Sequence, residues 1–221
     1  MKSLIEYINE SNKIELISDG KEHGFEYVDL GLPSGTMWAT CNVGADKPED
    51  GGLLFQFGRV DGYRFGDKNN KFRTKDQNKQ DTGNEYTPVT TSGKVYKKNE
   101  ILDLDDDAAH VNMGGAWRMP IKDELEELFN NTTHKVETLN GVKGMMFTSK
   151  INDKRLFIPF AGYWYNGSFY AIGSDAYTWS SPVHSSIVYR VTRLSLDFNG
   201  DVDAIYADRT CAFSIRGVFK K

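Results

Sequence analysis

Short runs of apolar side chains, separated by polar turn signals, fill the second half of the chain. Runs of this length that are rich in β-branched and aromatic residues are typical of β-strands. Asn166-Gly167 and Asn199-Gly200 each separate two such runs, and Asn-Gly is the strongest short-range signal of a β-hairpin. The predicted strands cover residues 145–149, 155–160, 168–172, 177–181, 187–198, 202–207 and 211–219. This half of the chain is therefore predicted to form antiparallel sheets.

The first half of the chain predicts fewer strands. Residues 27–45 are expected to form two short strands about Pro33-Ser34-Gly35, because Pro presets the turn geometry and Gly tolerates a positive φ. A further buried strand is expected within 51–58.

Two helices are predicted in the middle of the chain. One begins at the acidic run 103–107, because carboxylates favour a helix N-terminus. The other begins near Pro120, which is tolerated in a first turn, and its apolar face is Leu125, Leu128 and Phe129. A third Asn-Gly, at Asn140-Gly141, lies between this helix and the strand-rich region. Together these patterns predict an α+β fold, with two helices and antiparallel β-sheets.

The acidic run also suggests calcium, since four carboxylates fall in the five positions 103–107. An EF-hand loop requires Gly at its sixth position and Glu at its twelfth. Counted from Asp103, those positions hold Ala108 and Gly114. The sequence therefore favours a helix N-terminus, and calcium binding by the run stays open.

Residues 1–23 are predicted to be an anchoring or oligomerisation segment. Ser3 and Glu6 have the spacing of a capping box, and Leu4, Ile5 and Ile8 form one apolar stripe. A helix this short is marginal alone in water, so it must pack on its own domain, on another copy or on another protein. Residues 13–18 are a possible strand, and Asp19-Gly20-Lys21 is a turn signal.

The beginning of the chain does not resemble a secretion signal. Such signals carry an uninterrupted apolar run, and Glu6 and Asn9 interrupt it here. Residues 61–100, by contrast, are rich in charged and polar side chains and poor in aliphatic ones. They are predicted to form a long polar surface excursion, with a possible hairpin around Gly93.

Composition excludes several classes of protein. Lys and Arg number 27 against 31 Asp and Glu, a net charge of −4, which argues against a nucleic-acid binder held mainly by phosphate contacts. No apolar stretch is long enough for a membrane span. Cys41 and Cys211 alone cannot form a disulfide framework or a four-ligand zinc site. Aromatic residues make up 13% of the chain, and such side chains build both cores and binding surfaces.

An ordered set of motifs resembles the "major paralogous domain" family of gut bacteria and the phages that infect them. The resemblance covers about residues 24–221. Its motifs lie at 27–45, 105–120, 157–163 (Phe-Ile-Pro-Phe-Ala-Gly-Tyr), 177–181 (Tyr-Thr-Trp-Ser-Ser) and 212–217 (Ala-Phe-Ser-Ile-Arg-Gly).

The resemblance implies a C-type-lectin-like fold, similar to that of sulfatase-modifying factors, and a role in display and recognition. Members of the family often end in Arg-Cys-Val, whereas this chain has Arg216-Gly217-Val218, so a Cys41–Cys211 disulfide does not follow from the pattern. The amphipathic leader resembles the anchoring starts of virion proteins in crAss-like phages. A fibre or decoration protein of a virion is therefore expected, as a homo-oligomer, with a trimer favoured, that contacts other virion proteins through its N-terminal segment.

The sequence holds no recognisable catalytic motif. A nucleophile elbow, a phosphate loop and a dinucleotide fingerprint are all missing, and His23, His110, His134 and His184 are scattered. No cofactor or metal is predicted. The first alternative is a bacterial cell-surface adhesin of the same fold. The second is an oxidase related to sulfatase-modifying factors, which would need Cys41 and Cys211 close together in space.

The best candidate for a recognition surface is the aromatic segment 162–170. A strand cannot bury all of its aromatic side chains on one face, and exposed aromatics beside small polar groups suit sugars or protein partners. A host-surface glycan or protein is the expected ligand. The candidate residues are Tyr163, Trp164, Tyr165, Asn166, Tyr170, His184 and Tyr206. Trp117, Trp179 and Phe213 are predicted to lie in the core instead.

Overall fold

The computed structural model describes residues 16–221, so the predicted anchor residues Leu4, Ile5 and Ile8 lie outside the described part. Residues 16–221 form strands β1 (Gly20–Glu22), β2 (Phe25–Val28), β3 (Thr36–Ala39), β4 (Leu54–Gln56), β5 (Thr132–Leu139), β6 (Val142–Ser149), β7 (Arg155–Pro159), β8 (Ala161–Tyr165), β9 (Ser168–Ile172), β10 (Asp175–Val183), β11 (Arg190–Asp197), β12 (Val202–Asp208), β13 (Ala212–Ser214) and β14 (Val218–Lys220). The helices are α1 (Lys75–Thr82), α2 (Ala108–Met113) and α3 (Lys122–Asn131), and a 3-10 turn covers Leu104–Asp106. The predicted α+β class is confirmed.

The seven-stranded sheet is the largest, with the order β12-β11-β10-β13-β8-β9 and β4 paired to β13. Its pairings are antiparallel except for β10 with β13. Both predicted Asn-Gly hairpins are present: one joins β8 to β9 at Asn166-Gly167, and the other joins β11 to β12 across Asn199-Gly200. This sheet carries nearly all of the predicted recognition residues.

A four-stranded sheet, β1-β2-β3-β14, brings the two ends of the described chain together. The predicted strands about Pro33-Ser34-Gly35 are β2 and β3, and Gly35 N donates to Leu32 O at 2.9 Å to close the turn. The turn predicted at Asp19-Gly20-Lys21 is wrong. Gly20–Glu22 is a strand, and the chain reverses at His23 and Gly24, both with positive φ. Residues 20–22 therefore join the body that was predicted to begin at residue 24.

A three-stranded sheet, β5-β6-β7, contains a strand that the hydrophobic pattern did not predict. Most side chains of β5 are exposed or half-buried, so no apolar alternation marks it. Asn140-Gly141 forms the tight turn between β5 and β6, where Leu139 pairs with Val142.

Three helices are present in the described residues where two were predicted. The extra one, α1, lies in the excursion 61–100 and begins at a capping box formed by Thr74 and Gln77. Its sequence has no apolar stripe, so only the capping signal marks it. The hairpin suggested at Gly93 is wrong, because no strand lies between Gln56 and Thr132 in the described part of the chain.

The core consists of two main clusters of buried side chains. One lies between α3 and all three sheets and includes Leu125, Leu128, Trp38 and Phe147. The other holds the predicted core residues, and Trp117, Trp179 and Phe213 are at most 2% exposed. Trp117 Nε1 donates to Glu22 O and Trp179 Nε1 to Phe55 O, each at 2.8 Å. The core prediction for these three residues is confirmed.

Candidate functional site

Tyrosines from three strands meet on one face of the seven-stranded sheet. Tyr163 on β8 is the cross-strand partner of Tyr170 on β9, and their rings stack with centroids 5.3 Å apart. The ring of Tyr177 on β10 meets that of Tyr163 edge-on at 5.1 Å. Tyr170 is 44% exposed, while Tyr163 and Tyr177 are half-buried. We call Tyr163, Tyr165, Tyr170 and Tyr177 the tyrosine face.

The tyrosine face borders an open cavity of about 250 Å³. Phe213 forms its floor, with ring centroids 5.1 Å from Tyr177 and 4.4 Å from the buried Trp179. The cavity therefore stands on the fixed aromatic core of the domain. Its lining residues are Tyr163, Tyr165, Tyr177, Arg193, Tyr206, Ala207, Asp208, Cys211 and Phe213.

One side of the cavity is held by the excursion 61–100. Lys75, the first residue of α1, pairs with Asp208 at 3.2 Å and lies 4.0 Å from the ring of Tyr86 and 5.3 Å from that of Tyr165. Its backbone N–H donates to Asn166 Oδ1 at 3.1 Å. Burial alone would lower the pKa of Lys75, but hydrogen bonds to Tyr165 and Asp208 outweigh it and raise the pKa. The ammonium group therefore stays charged and ties the excursion to the sheet.

Arg193 of β11 is part of the cavity wall. Its guanidinium carbon is 3.9 Å from the ring centroid of Tyr177 and 5.2 Å from that of Phe213, distances at which a cation is attracted to an aromatic face. Nε and Nη1 are covered and have no hydrogen-bond partner among the described residues. Burial lowers the pKa of Arg193, although an arginine side chain remains protonated at neutral pH.

Burial also keeps the neighbouring side chains neutral. It raises the pKa of Tyr177 to about 12, with nearby Asp175 adding to the effect, and it raises the pKa of Tyr163. It likewise raises the pKa of the Cys211 thiol to about 12. At neutral pH the wall therefore offers neutral hydroxyls and one thiol, together with the charges of Arg193, Lys75 and Asp208.

The site residues predicted from the sequence lie in different parts of the structure. Tyr163, Tyr165 and Tyr206 line the cavity, and the ring of Tyr170 stacks on that of Tyr163. Asn166 lies at the hairpin tip, where it binds α1. Trp164 is a correction: it is 2% exposed and its ring is 5.0 Å from that of Phe72, on the opposite face of β8. Side chains alternate along a strand, so the neighbour of two surface tyrosines points into the core and is unavailable to a ligand.

His184 lies in a second cavity, of about 310 Å³, that also includes Tyr206. The His184 and Tyr206 rings meet edge-on with centroids 4.0 Å apart. His184 Nδ1 accepts hydrogen bonds from Ser186 N at 2.9 Å and Ile187 N at 3.0 Å. The His184 ring therefore shapes its own loop, and Tyr206 is the residue common to both cavities.

Sequence reasoning missed Tyr177, Arg193, Lys75 and Asp208. Tyr177 lies in the motif 177–181, two residues before the buried Trp179, and only Trp179 of that motif was predicted to lie in the core. Arg193 occupies one of the polar positions that alternate with the buried Leu194 and Leu196 along β11, so the pattern did not single it out. Lys75 and Asp208 are far apart in sequence and carried no signal.

The two cysteines are free and lie in different places. Cys41 lines a cavity of about 300 Å³ beside β2 and β3, and this cavity shares no lining residue with the one that contains Cys211. Burial raises the pKa of both thiols, whereas reactive cysteines have lowered values. The structure does not bring the pair into one site.

The acidic run 103–107 performs structural tasks. Asp107 is the N-cap of α2 and accepts from Ala109 N, His110 N and Met119 N. The fully buried Asp106 accepts from Ser92 and from the Tyr96 hydroxyl. The helix N-terminus predicted here is confirmed. Within residues 16–221, no group of three or more His, Cys, Asp or Glu side chains is placed to hold a metal ion.

None of the helices in residues 16–221 is long and apolar enough to cross a membrane. No protein-family model, curated protein or solved structure matches this chain. The tyrosine face and its cavity are therefore interpreted from their own geometry.

Proposed function

We propose that this chain is a non-catalytic recognition domain with a C-type-lectin-like fold, displayed on a phage virion as a fibre or decoration protein, and that its tyrosine face binds a glycan or protein of the host surface. The observation that carries the proposal is the tyrosine face itself. Three of its four tyrosines line an open cavity whose floor is the aromatic core, and the fourth, Tyr170, stacks on Tyr163.

Rigidity is what makes this surface suitable for binding. Tyrosine supplies a large amphipathic contact area at a low cost in conformational entropy. Here the rings are already held by their neighbours: Tyr163 contacts Tyr170, Tyr177 and Phe213. A ligand therefore need not order the side chains that it meets, and less of its contact free energy is lost on binding.

The motif resemblance supplies the virion context, and Leu4, Ile5 and Ile8 are proposed to be the anchor. Copies displayed together, with a trimer favoured, would convert weak single-site binding into strong attachment. A cell-surface adhesin would use the same face, and neighbouring capsid genes or polysaccharide-utilisation genes would distinguish the two contexts. The separated cysteines lend no support to an oxidase.

The binding proposal is tested with the full chain, fluorescently labelled, on a panel of intact gut bacteria. Wild-type protein is expected to bind some strains, and Tyr170→Ala to bind them at least about tenfold less. Phe198→Ala is the matched control, because Phe198 is 61% exposed, lies at the β11–β12 hairpin and does not line the cavity. Both variants should melt close to wild type, as surface substitutions usually do.

Pretreating the cells distinguishes the two ligand classes. Periodate oxidises vicinal diols in glycans, and protease removes surface proteins. Loss of binding after periodate alone identifies a glycan. If Tyr170→Ala binds as well as wild type on every strain, the tyrosine face is not the recognition surface.

The anchoring proposal has a separate test. Removing residues 1–15 is expected to leave residues 16–221 folded but to abolish co-sedimentation with the virion. Unchanged co-sedimentation of the truncated protein would exclude the N-terminal segment as the anchor.

A further inference from the structure

The cavity beside the tyrosine face contains a positive charge without a partner. Arg193 forms no salt bridge within the described residues, whereas Arg59 pairs with Asp61, Arg73 with Asp81 and Arg118 with Glu124. Nε and Nη1 of Arg193 are covered and unpartnered, and Arg193 lines the cavity. A desolvated cation without a partner is costly, so the position favours any anion that arrives there.

The carboxylates nearest the cavity are already engaged. Asp208 lines the cavity but pairs with Lys75 at 3.2 Å. Asp175 accepts a hydrogen bond from the Tyr177 hydroxyl at 3.3 Å. Arg193 and Asp208 are the charged side chains that line the cavity, and of the two only Asp208 has an ionic partner among the described residues.

The size and walls of the cavity limit what can enter. Its volume of about 250 Å³ is below the ~300–1,000 Å³ typical of sites for drug-sized ligands, so it suits one ring-sized unit. Tyr163, Tyr165 and Tyr177 line the cavity with aromatic rings, and their hydroxyls add hydrogen-bonding groups. Aromatic faces pack against the C–H faces of a sugar ring, and hydroxyls match its polar edge.

We propose that the cavity binds a carboxylated sugar, such as a uronic or sialic acid unit of a surface glycan, with its carboxylate on the Arg193 guanidinium and its ring against the tyrosine face. This inference rests on the proposed recognition function and names the ligand class for that same site. A single free charge fits the one carboxylate of an acidic sugar. An Asp or Glu side chain would also bring one carboxylate but no ring to pack on the aromatic lining, so an acidic peptide is the competing outcome of the test.

The test uses matched sugar pairs that differ only at C6. Methyl β-glucuronide is compared with methyl β-glucoside, and methyl β-galacturonide with methyl β-galactoside, by NMR titration of the full chain. Wild-type protein is expected to bind at least one acid about tenfold more tightly than its neutral partner, as a charge-assisted hydrogen bond provides. Added salt should weaken binding of the acid and leave that of the neutral sugar nearly unchanged.

Three variants assign the preference to Arg193. Arg193→Gln should bring the acid-to-neutral affinity ratio close to one. Arg193→Lys should retain part of the preference, which keeps the test decisive if Arg193→Gln folds poorly. Arg155→Gln, an exposed arginine on β7 of another sheet, is the matched control and should retain the full preference.

The proposal is overturned by equal affinity of wild type for every acid and its neutral partner, or by failure to bind any acid. It is also overturned if the preference persists in Arg193→Gln, or if a tetraglutamate peptide competes more strongly than the acidic sugar. Equal binding of neutral and acidic sugars would contradict the proposal that the ligand is an acidic sugar, but not the proposal that the tyrosine face binds a glycan. The recognition function itself is judged by the Tyr170→Ala experiment on cells.

Discussion

Two arginines near the C-terminus of the chain occupy opposite kinds of environment. Arg216 is completely buried, and its guanidinium donates to Asn42 Oδ1 at 3.0 Å, Ala39 O at 3.0 Å, Thr40 O at 2.6 Å and Phe157 O at 2.9 Å. Arg193 is half-buried in a cavity wall, with Nε and Nη1 unpartnered. Burial lowers the pKa of both, to about 10 for Arg216.

The two guanidinium groups differ in their hydrogen-bond partners. Arg216 is satisfied by oxygens from the β3 region and from β7, so it joins two sheets and belongs to the structure. Arg193 is held against the rings of Tyr177 and Phe213, and no oxygen of the described residues pairs with its Nε or Nη1. The same residue type is thus completed by the protein's own oxygens in one region and lacks that completion in the other.

The largest effect is expected from Arg216→Met. The variant leaves four buried oxygens without their donor, and each such loss costs about 1–3 kcal/mol. The free energy of unfolding should therefore fall by at least about 4 kcal/mol, as measured by denaturant titration. A loss below about 1 kcal/mol would show that water replaces the guanidinium and that the network is not structural.

Trp179→Ala should come next, with a loss of about 3–5 kcal/mol, as expected for a buried aromatic replaced by Ala. Trp179 connects the core to the cavity floor through Phe213, so the variant should also weaken ligand binding. Trp179→Phe is the control that retains the ring but loses the hydrogen bond to Phe55 O. Melting within about 2 °C of wild type in Trp179→Ala would contradict its core role.

An intermediate, pH-dependent effect is expected for Glu124→Gln. Burial alone would raise the pKa of Glu124, but the hydrogen bonds from Arg118 and Ile121 N, together with the Arg118 charge and Thr36, lower it below the ordinary value of 4.5. A depressed folded-state pKa adds stability above the unfolded-state pKa, and this stability is lost as pH falls through the folded-state value.

Wild type should therefore exceed Glu124→Gln in stability at pH 7, and the difference should shrink as the pH falls below about 4.5. Thermal melts between pH 7 and pH 3 measure it. A difference that stays constant over this range would show that the carboxylate charge of Glu124 contributes nothing.

Arg193→Met should have the smallest effect on stability, within about 1 kcal/mol in either direction, because replacing an incompletely satisfied buried charge by an apolar side chain is often neutral or stabilising. This variant tests the comparison most directly. If Arg193→Met lowers the free energy of unfolding as much as Arg216→Met does, both arginines are structural, and the cavity is not an anion-binding site.

Local signals in the sequence determined much of the architecture. Two Asn-Gly pairs located hairpins, the acidic run located the start of α2, and the apolar stripe of Leu125 and Leu128 located α3. These features depend on neighbours within a few residues, so the chain encodes them locally. Tryptophans beside small residues also identified the core, as at Trp179.

Only the tertiary structure decided the rest. Strand β5 is defined by pairing with β6 rather than by its own side chains, so no pattern marks it. The segment 162–170 was correctly expected to divide its aromatics between two faces, but the pairing of β8 with β13 decided that Trp164 is the buried one.

Lys75 and Asp208 meet only because the excursion folds back onto the sheet. The sequence does not distinguish Arg193 from Arg216. The difference is that distant strands bring oxygens to Arg216 and leave Nε and Nη1 of Arg193 without a partner. Partners supplied from far along the chain are invisible to local periodicity, and that is why the cavity beside the tyrosine face emerges only in three dimensions.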